Sequence, residues 1–477
     1  MSTEATEQPK DVEDTPRGRI WRAGTLTYTS GGLVALFFWL LWGDFTISLK
    51  DRSLTPTLQI MLRTFEAKAV VIALLLSFLP PLISIFLIPV VSYKSDRHRG
   101  AWGRRIPYLL IPTPIAFVTM VLLGFSPAIG KVLHNALGGE RALMSENSFI
   151  LLCIGVAWTL FEFANLTCTA VFTWLIADVV PRPLFGRFFG MFRALSLIAG
   201  MIFSWYLLGI VKTHYAMVFL AIGALYGVSF TIMCLKVKEG DYPPVQPMES
   251  SLETSRALAS RFSAVNEYLR DCFTHPYYLW YFLSITLAHI GFLPINLYSL
   301  IFATSLGMSD KMYGHWSAIQ LGCSLVQTYP LGWLADKIHP LRVTIGALAL
   351  YALSTLWAFF FVRDASMFAA AHVICGTISG MWLTATAPLA PSLLPKSKFA
   401  SYFSAMGICM AVAGMVMGPV VGKALDRLNP GRKIENYDFH TMYLWSSILM
   451  TLSLVVTLIV YRKFMQYGGP KHYVAPQ

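Results

Sequence analysis

Twelve apolar runs dominate this chain, and at roughly 20 residues or more each is long enough to cross about 30 Å of hydrocarbon as a helix. The first opens near Leu26, and the others occupy about 68–93, 107–126, 148–178, 186–210, 215–236, 277–304, 312–334, 341–362, 367–393, 399–423 and 440–463. A bilayer interior offers no water to satisfy backbone N–H and C=O groups, so runs of this kind are predicted to be helices. Charged residues make up 13% of the 477 positions against 56% hydrophobic, which excludes an ordinary soluble domain. The expected class is an all-α membrane protein with twelve transmembrane helices.

The net charge of +12 does not gather into one basic patch. The cations are spread over short connections, where they set orientation; the lipid bilayer is therefore an expected partner and nucleic acid is not. With both termini placed in the cytoplasm, about two-thirds of the 37 Lys and Arg fall on that side. Residues 1–24 read as a polar cytoplasmic tail containing Pro9 and Pro16, without a cleavable signal peptide. The first span is then expected to direct insertion into the cell membrane, the inner one where there are two. The seven cysteines show no metal-ligand spacing, so neither a disulfide framework nor a bound metal or cofactor is expected. Phosphate-cradling, zinc and nucleophile-elbow motifs are absent from the sequence, and enzymatic chemistry is not expected.

The end of the first helix is open at this stage. Hydropathy stops at Leu49, whereas a helix continuing through Lys50-Asp51-Arg52 to about Met61 requires those charges to face a polar cavity. Residues 237–275 are polar, with a helical-looking basic stretch from Ser255 to Arg270, and read as a cytoplasmic linker. They separate a six-helix bundle at 25–236 from a second at 276–464, with a cytoplasmic tail at 465–477. An internal repeat supports two related halves: Pro181, Phe185 and Phe189 recur as Pro395, Phe399 and Phe403, and Ser95-Asp96-Arg97 is echoed by Ala335-Asp336-Lys337. Two pseudo-symmetric six-helix bundles resemble the major facilitator architecture, in which the substrate path lies near the midplane.

Charged and amide groups inside such spans are costly and mark pathways. In span 4, Trp158, Glu162, Asn165 and Thr169 follow one another at three- and four-residue spacing and share a face, an aromatic surface beside polar groups that suits a sugar. Glu162 is the first candidate for proton coupling. An ionised carboxylate at the membrane centre costs about 2.5 to 3.5 kcal/mol, and a carboxyl alternating between dry and wet surroundings takes up and releases a proton. Asp44, beside Trp42, is the second candidate and also a substrate contact; Asp51, seven residues on, shares its helical face. Lys50, Asp51 and Arg52 belong to the site if the first helix runs on. Arg193, about two turns inside span 5, offers a planar fork of donors to a carboxylate or to sugar hydroxyls. In the second half, His289 and Asn296 share a face of span 7, Trp316, Gln320 and Gln327 line span 8, and Trp382 and Thr386 lie in span 10. Asp96, Arg97, Gly103 and Arg104 are assigned to a gate that pairs with Asp178 and Arg187 of the next cytoplasmic loop. The plainer alternatives are an interhelical bond for Glu162 and His289, helix-end anchors for Asp44 and Arg193, and topogenesis for the basic turn.

Three motifs carry a family resemblance. Ser95-Asp96-Arg97 followed by Trp102-Gly103-Arg104-Arg105-Ile106-Pro107-Tyr108 resembles the cytoplasmic signature of the major facilitator superfamily, in particular the glycoside-pentoside-hexuronide:cation symporters and their sucrose-transporter branch. Glu162-Phe163-Ala164-Asn165, with Leu175-Ile176-Ala177-Asp178, resembles the Asp-x-Ala-Asn-Asn and Ala-Leu-Leu-Ala-Asp elements of that branch. Leu54-Thr55-Pro56-Thr57-Leu58-Gln59 resembles its Leu-Thr-Pro-x-x-Gln, which favours the longer first helix. The resemblance implies that Asp44 and the Arg193-Ala194-Leu195-Ser196 segment contact sugar. Departures are informative too. Thr173 stands where the branch has a sugar-binding Arg, and Ser84 and Ile88 stand where sodium-using members carry acids, so protons rather than sodium are expected as the coupling ion.

These readings lead to the expectation of a secondary transporter, functional as a monomer, that carries a small-molecule sugar or glycoside, a disaccharide such as sucrose or maltose, by proton symport and alternating access. Within transport the alternatives are another polar solute, a sugar derivative, or efflux. Outside transport the alternative is a sugar sensor or assembly factor.

Overall fold

A computed structural model describes residues 12–15, 18–139, 144–240, 268, 270, 272–395 and 398–476. Twelve long helices stand among them. The first six are α1 Ser30–Thr64, α2 Ala69–Arg97, α3 Pro107–Ala136, α4 Glu146–Val179, α5 Arg182–Ile210 and α6 Tyr215–Lys236. The second six are α7 Pro276–Ser305, α8 Asp310–Ile338, α9 Pro340–Phe361, α10 Ala365–Leu393, α11 Phe399–Leu428 and α12 His440–Gln466. Eleven carry a stretch apolar enough to cross a bilayer, and α8 falls short because polar residues interrupt it. The expected all-helical class and its twelve helices are what the chain forms. Most of the linker, including nearly all of Ser255 to Arg270, lies outside the described residues.

The sequence left one boundary open, and the structure moves another. The first helix does not stop at Leu49 but runs to Thr64 through Lys50-Asp51-Arg52 and Pro56. Part of the segment read as a tail forms a three-stranded antiparallel sheet, β1 Val12–Thr15, β2 Gly18–Ala23 and β3 Leu26–Tyr28. Its second connection is a two-residue turn in which Gly24 adopts φ +59°, while Trp21 faces Tyr28 across the strands. Helix α1 accordingly starts at Ser30 rather than Leu26.

The helices cluster into two compact units. One comprises Met1–Thr55, Ile83–Phe203 and Thr213–Gln246; the other comprises Pro56–Leu82, Ser204–Lys212 and Pro247–Gln477. Helices α1, α2 and α5 each pass between units at a backbone irregularity. In α1 this is Pro56, which lacks the N–H that would continue the helical ladder. In α2 the π-helical turn Leu74–Phe78 runs into Pro80-Pro81, and in α5 the division falls at the π-helical turn Phe203–Leu207.

Packing repeats between the halves. Helix α3 packs on α4 and α6, and its counterpart α9 packs on α10 and α12. The repeated sequence motifs are structurally equivalent as well. Phe185 opens the α5 helix and meets Phe189 edge-on at 6.2 Å, while Phe399 opens α11 and stacks on Phe403 at 5.6 Å. At the ends of α2 and α8, Arg97 lies over the Tyr93 ring and Lys337 over the Trp333 ring, each one turn back.

Small residues set the close crossings in the first unit. A Cβ on Gly130 of α3 would lie 2.7 Å from the Ile150 Cα of α4, and one on Gly124 2.9 Å from the Ala216 Cα of α6. Gly130→Val should therefore lower stability by about 1–3 kcal/mol through overpacking, whereas Gly407→Ala, at a glycine facing open space, should leave it unchanged. Thermal unfolding in detergent distinguishes the two, and equal melting for both variants would remove the close-approach argument.

Candidate functional site

The continuation of α1 carries Lys50 into the first unit, where it is fully buried. Its ammonium donates to the Asn165 side-chain oxygen of α4 and pairs with Asp51 at 3.1 Å. The same Nζ lies 4.8 Å from the centre of the Tyr226 ring of α6 and 5.6 Å from that of Phe161 of α4. A desolvated ammonium needs this provision of one anion, one amide oxygen and two aromatic faces. Three helices are thereby tied at one point.

Glu162 belongs to the same cluster. It is 5% exposed, with Asp51 as its like-charged neighbour, Lys50 as its counter-charge and Asn165 as its hydrogen-bond partner. Trp158, one turn earlier, is buried and packs against Phe161 with ring centroids 5.4 Å apart. The face predicted on α4 therefore assembles through Trp158, Glu162 and Asn165. Thr169 does not join it: its side chain is exposed, and its carbonyl accepts from Thr173. Asp44 is fully buried one helical stretch earlier on α1; Oδ1 accepts from Ser48 at 3.3 Å and Oδ2 has no hydrogen-bond partner. Arg193 is half-buried with Arg52 as a like-charged neighbour.

The second-half candidates fall in the other unit. Gln320 donates to Ser324 at 3.1 Å and Gln327 to the Thr377 carbonyl at 2.6 Å, both partners within that unit. Asn296 contributes its backbone carbonyl to Gln59 of α1, and its side chain is exposed, as is His289. Trp382 is buried against Phe292 with its indole nitrogen lacking a hydrogen-bond partner, and Thr386 is spent on the Trp382 carbonyl.

The basic turn after α2 forms a clamp inside the first unit. Arg104 holds Asp178 at the end of α4 side-on, through Nη2 at 2.7 and 2.8 Å and through Nε at 3.3 Å. Arg105 pairs with Asp96 at 2.6 Å and with Asp178 at 3.2 Å, and donates to Ser95 at 2.6 Å. Gly103 provides the left-handed turn, with φ +97°, that delivers both arginines. Of the gate residues expected from sequence, Asp96, Gly103, Arg104 and Asp178 meet here. Arg97 instead covers Tyr93, and Arg187 is exposed. Arg105, buried and central to the network, was not singled out by sequence, since a run of cations on a loop reads as topology.

A second polar network, unforeseen from sequence, occupies the other unit. Arg63 at the end of α1 makes a bidentate pair with Asp310 of α8 at 3.0 and 2.9 Å and donates to Thr304 at 3.0 Å. The Asp426 carboxylate of α11 accepts from the backbone N–H groups of Ala69 and Val70, capping the start of α2, and Lys433 pairs with Glu66. The Tyr298 hydroxyl of α7 donates to the Ala69 carbonyl at 2.7 Å. The ends of α1 and α2 are thus bound to second-half helices within one unit.

Among the described residues no group of His, Cys, Asp and Glu could hold a metal, and all seven cysteines are free thiols. Cys272 is fully buried against the start of α7.

The chain is thus two related sets of six long helices with two buried charged networks among them. The profile of the Major Facilitator Superfamily matches residues 40–419, with a second match over 282–467, and the chain belongs to that family. It is a secondary transporter of a small molecule and not an enzyme. Solved structures share the fold. A bacterial homolog of the human lysosomal transporter Spinster, in an inward-facing and unoccupied conformation, superposes with a TM-score of 0.63 at 15% identity, covering 93% of this chain and 98% of that one. The nucleoside transporter NupG gives 0.66 at 13% identity, covering 89% and 100%. A bacterial homologue of the iron transporter ferroportin, inward-facing, gives 0.62 at 14%, covering 90% and 99%. No curated protein matches the chain by sequence.

Removing one partner of a buried ion pair strands the other. Arg63→Met should cost about 3–5 kcal/mol of unfolding stability, and the double change Arg63→Met with Asp310→Leu should regain most of it. Melting of the three proteins side by side decides this; a double variant no better than the single one would mean that the pair is not what the stability depends on.

Proposed function

We propose that the chain is a proton-coupled symporter of a sugar or glycoside, a disaccharide such as sucrose or maltose, with the α1–α4–α6 cluster of the first unit as its coupling and binding centre. The observation that carries this reading is the fully buried Lys50 held by Asn165 and Asp51 beside the buried Glu162. A lone cation and two carboxylates share this point, so one proton more or less decides which groups are paired. With Glu162 protonated, Lys50 is satisfied by Asp51 and Asn165. On release of the proton, Glu162 competes for Lys50 and frees the Asn165 amide. In this reading a hydroxyl-rich substrate is held at the same place once the path opens, with Asn165 and the carboxylates bonding hydroxyls and the Trp158 ring offering a flat apolar face.

The Arg104–Arg105 clamp and the Arg63–Asp310 network are placed in this reading as supports of the cytoplasmic and outer ends of the path. Both termini are then cytoplasmic, the protein resides in the cell membrane, and a monomer suffices. Because symport moves substrate with the entering proton, the direction in this reading is uptake rather than efflux.

The direct test is uptake of labelled sucrose and maltose into proteoliposomes, with a labelled nucleoside as comparison, under a pH gradient, a sodium gradient or none. One pH unit driving one proton per substrate supports accumulation up to about tenfold. Glu162→Gln should lose this accumulation while retaining exchange of substrate across the membrane. Accumulation at the wild-type level in that variant would remove Glu162 from coupling. Accumulation driven by sodium alone would overturn the proton reading.

A further inference from the structure

The two arginines of the clamp are aimed by a residue outside it. Helix α3 begins with Pro107, which has no N–H to donate, so the donors exposed at this helix start are those of Arg104, Arg105 and Ile106. All three converge on the carboxylate of Glu239, two residues beyond the end of α6 plus its capping Val237: Arg104 N at 2.9 Å to Oε2, Arg105 N at 2.7 Å and Ile106 N at 2.6 Å to Oε1. No side chain of the turn itself caps the helix. The carboxylate also meets the positive end of the helix dipole. Gly103 completes the fit, because a Cβ there would lie 2.7 Å from the Glu239 carboxyl carbon and 2.9 Å from Oε1.

We infer that Glu239 is a positioning residue of the cytoplasmic clamp, holding the backbone of Arg104 and Arg105 so that their side chains reach Asp178 and Asp96. The inference extends the reading of this turn as a gate. The reason is geometric. Both guanidinium groups hang from consecutive residues whose own amides are fixed by a single carboxylate, so the direction of each side chain depends on that anchor. Glu239 also opens the connection between the halves, which ties the start of that connection to the clamp. Its position immediately after the apolar α6 run makes it look like ordinary linker charge, flanked by Lys236 and Lys238.

A substrate-free assay tests it, so that a wrong transport reading does not confuse the result. Ser95 is fully buried beneath the Arg105 guanidinium. In the full chain carrying Ser95→Cys, reconstituted in nanodiscs, labelling of that site by a charged maleimide is followed by peptide mass spectrometry, which separates it from the native cysteines. Arg105→Ala sets the fully uncovered rate. Glu239→Ala should raise labelling about ten-fold toward that rate, through loss of charge-assisted backbone bonds. The isosteric Glu239→Gln, less disruptive to folding, should move it in the same direction, and Glu239→Asp should stay near background. Labelling unchanged in both Glu239→Ala and Glu239→Gln, while Arg105→Ala raises it, would overturn the assignment.

Discussion

An ion withdrawn from water into a bundle of apolar helices must be met by opposite charge, oriented dipoles or aromatic faces, and this requirement shapes every polar feature of the protein. Lys50 recruits Asp51, Asn165, Tyr226 and Phe161; Arg63 recruits Asp310 and Thr304; Arg104 and Arg105 recruit Asp178 and Asp96. Each group links helices distant in sequence. The remaining surface is apolar helix against apolar helix, where contact depends on small residues such as Gly124 and Gly130 rather than on expulsion of water.

The same requirement makes each buried pair costly to disrupt. Removing one partner of such a pair leaves the other buried and uncompensated, at a cost of about 3–5 kcal/mol. Both networks are built on arginines that bond one carboxylate through two nitrogens, and the planar fork holds that geometry firmly. Glu162 lies in the same cluster of the first unit, where Lys50 is its counter-charge and Asp51 its like-charged neighbour. The helices that run from one unit into the other do so at Pro56, after Pro80-Pro81 and at the π-helical turn of α5, where the backbone ladder is already interrupted.

Much of the helical plan was legible before any coordinates, because length and hydropathy are local properties. The span expected at 215–236 is the helix Tyr215–Lys236, and the repeated Pro-x-x-x-Phe-x-x-x-Phe signals open equivalent helices in the two halves. The exceptions have local causes. Hydropathy would end α1 at Leu49 because it scores Lys50, Asp51 and Arg52 without their partners, and the β2–β3 hairpin was hidden in a segment too short and polar to show strand alternation. Helical periodicity brought Trp158, Glu162 and Asn165 together correctly, since residues three and four apart share a face whatever lies opposite.

By itself the sequence determined the membrane class, the twelve helices, their division into two related sets and the carboxylates and amides that had to be accounted for. Only the tertiary structure decided which of them meet. Lys50 reaches Asn165 across 115 residues, Arg63 reaches Asp310 across 247, and Glu239 reaches the amides of residues 104–106 across 133 to 135. Pairings over such separations follow from how helices pack, and an isolated charge in the sequence carries no mark of its partner. Hydropathy records the cost of burying that charge; three-dimensional packing supplies what offsets it.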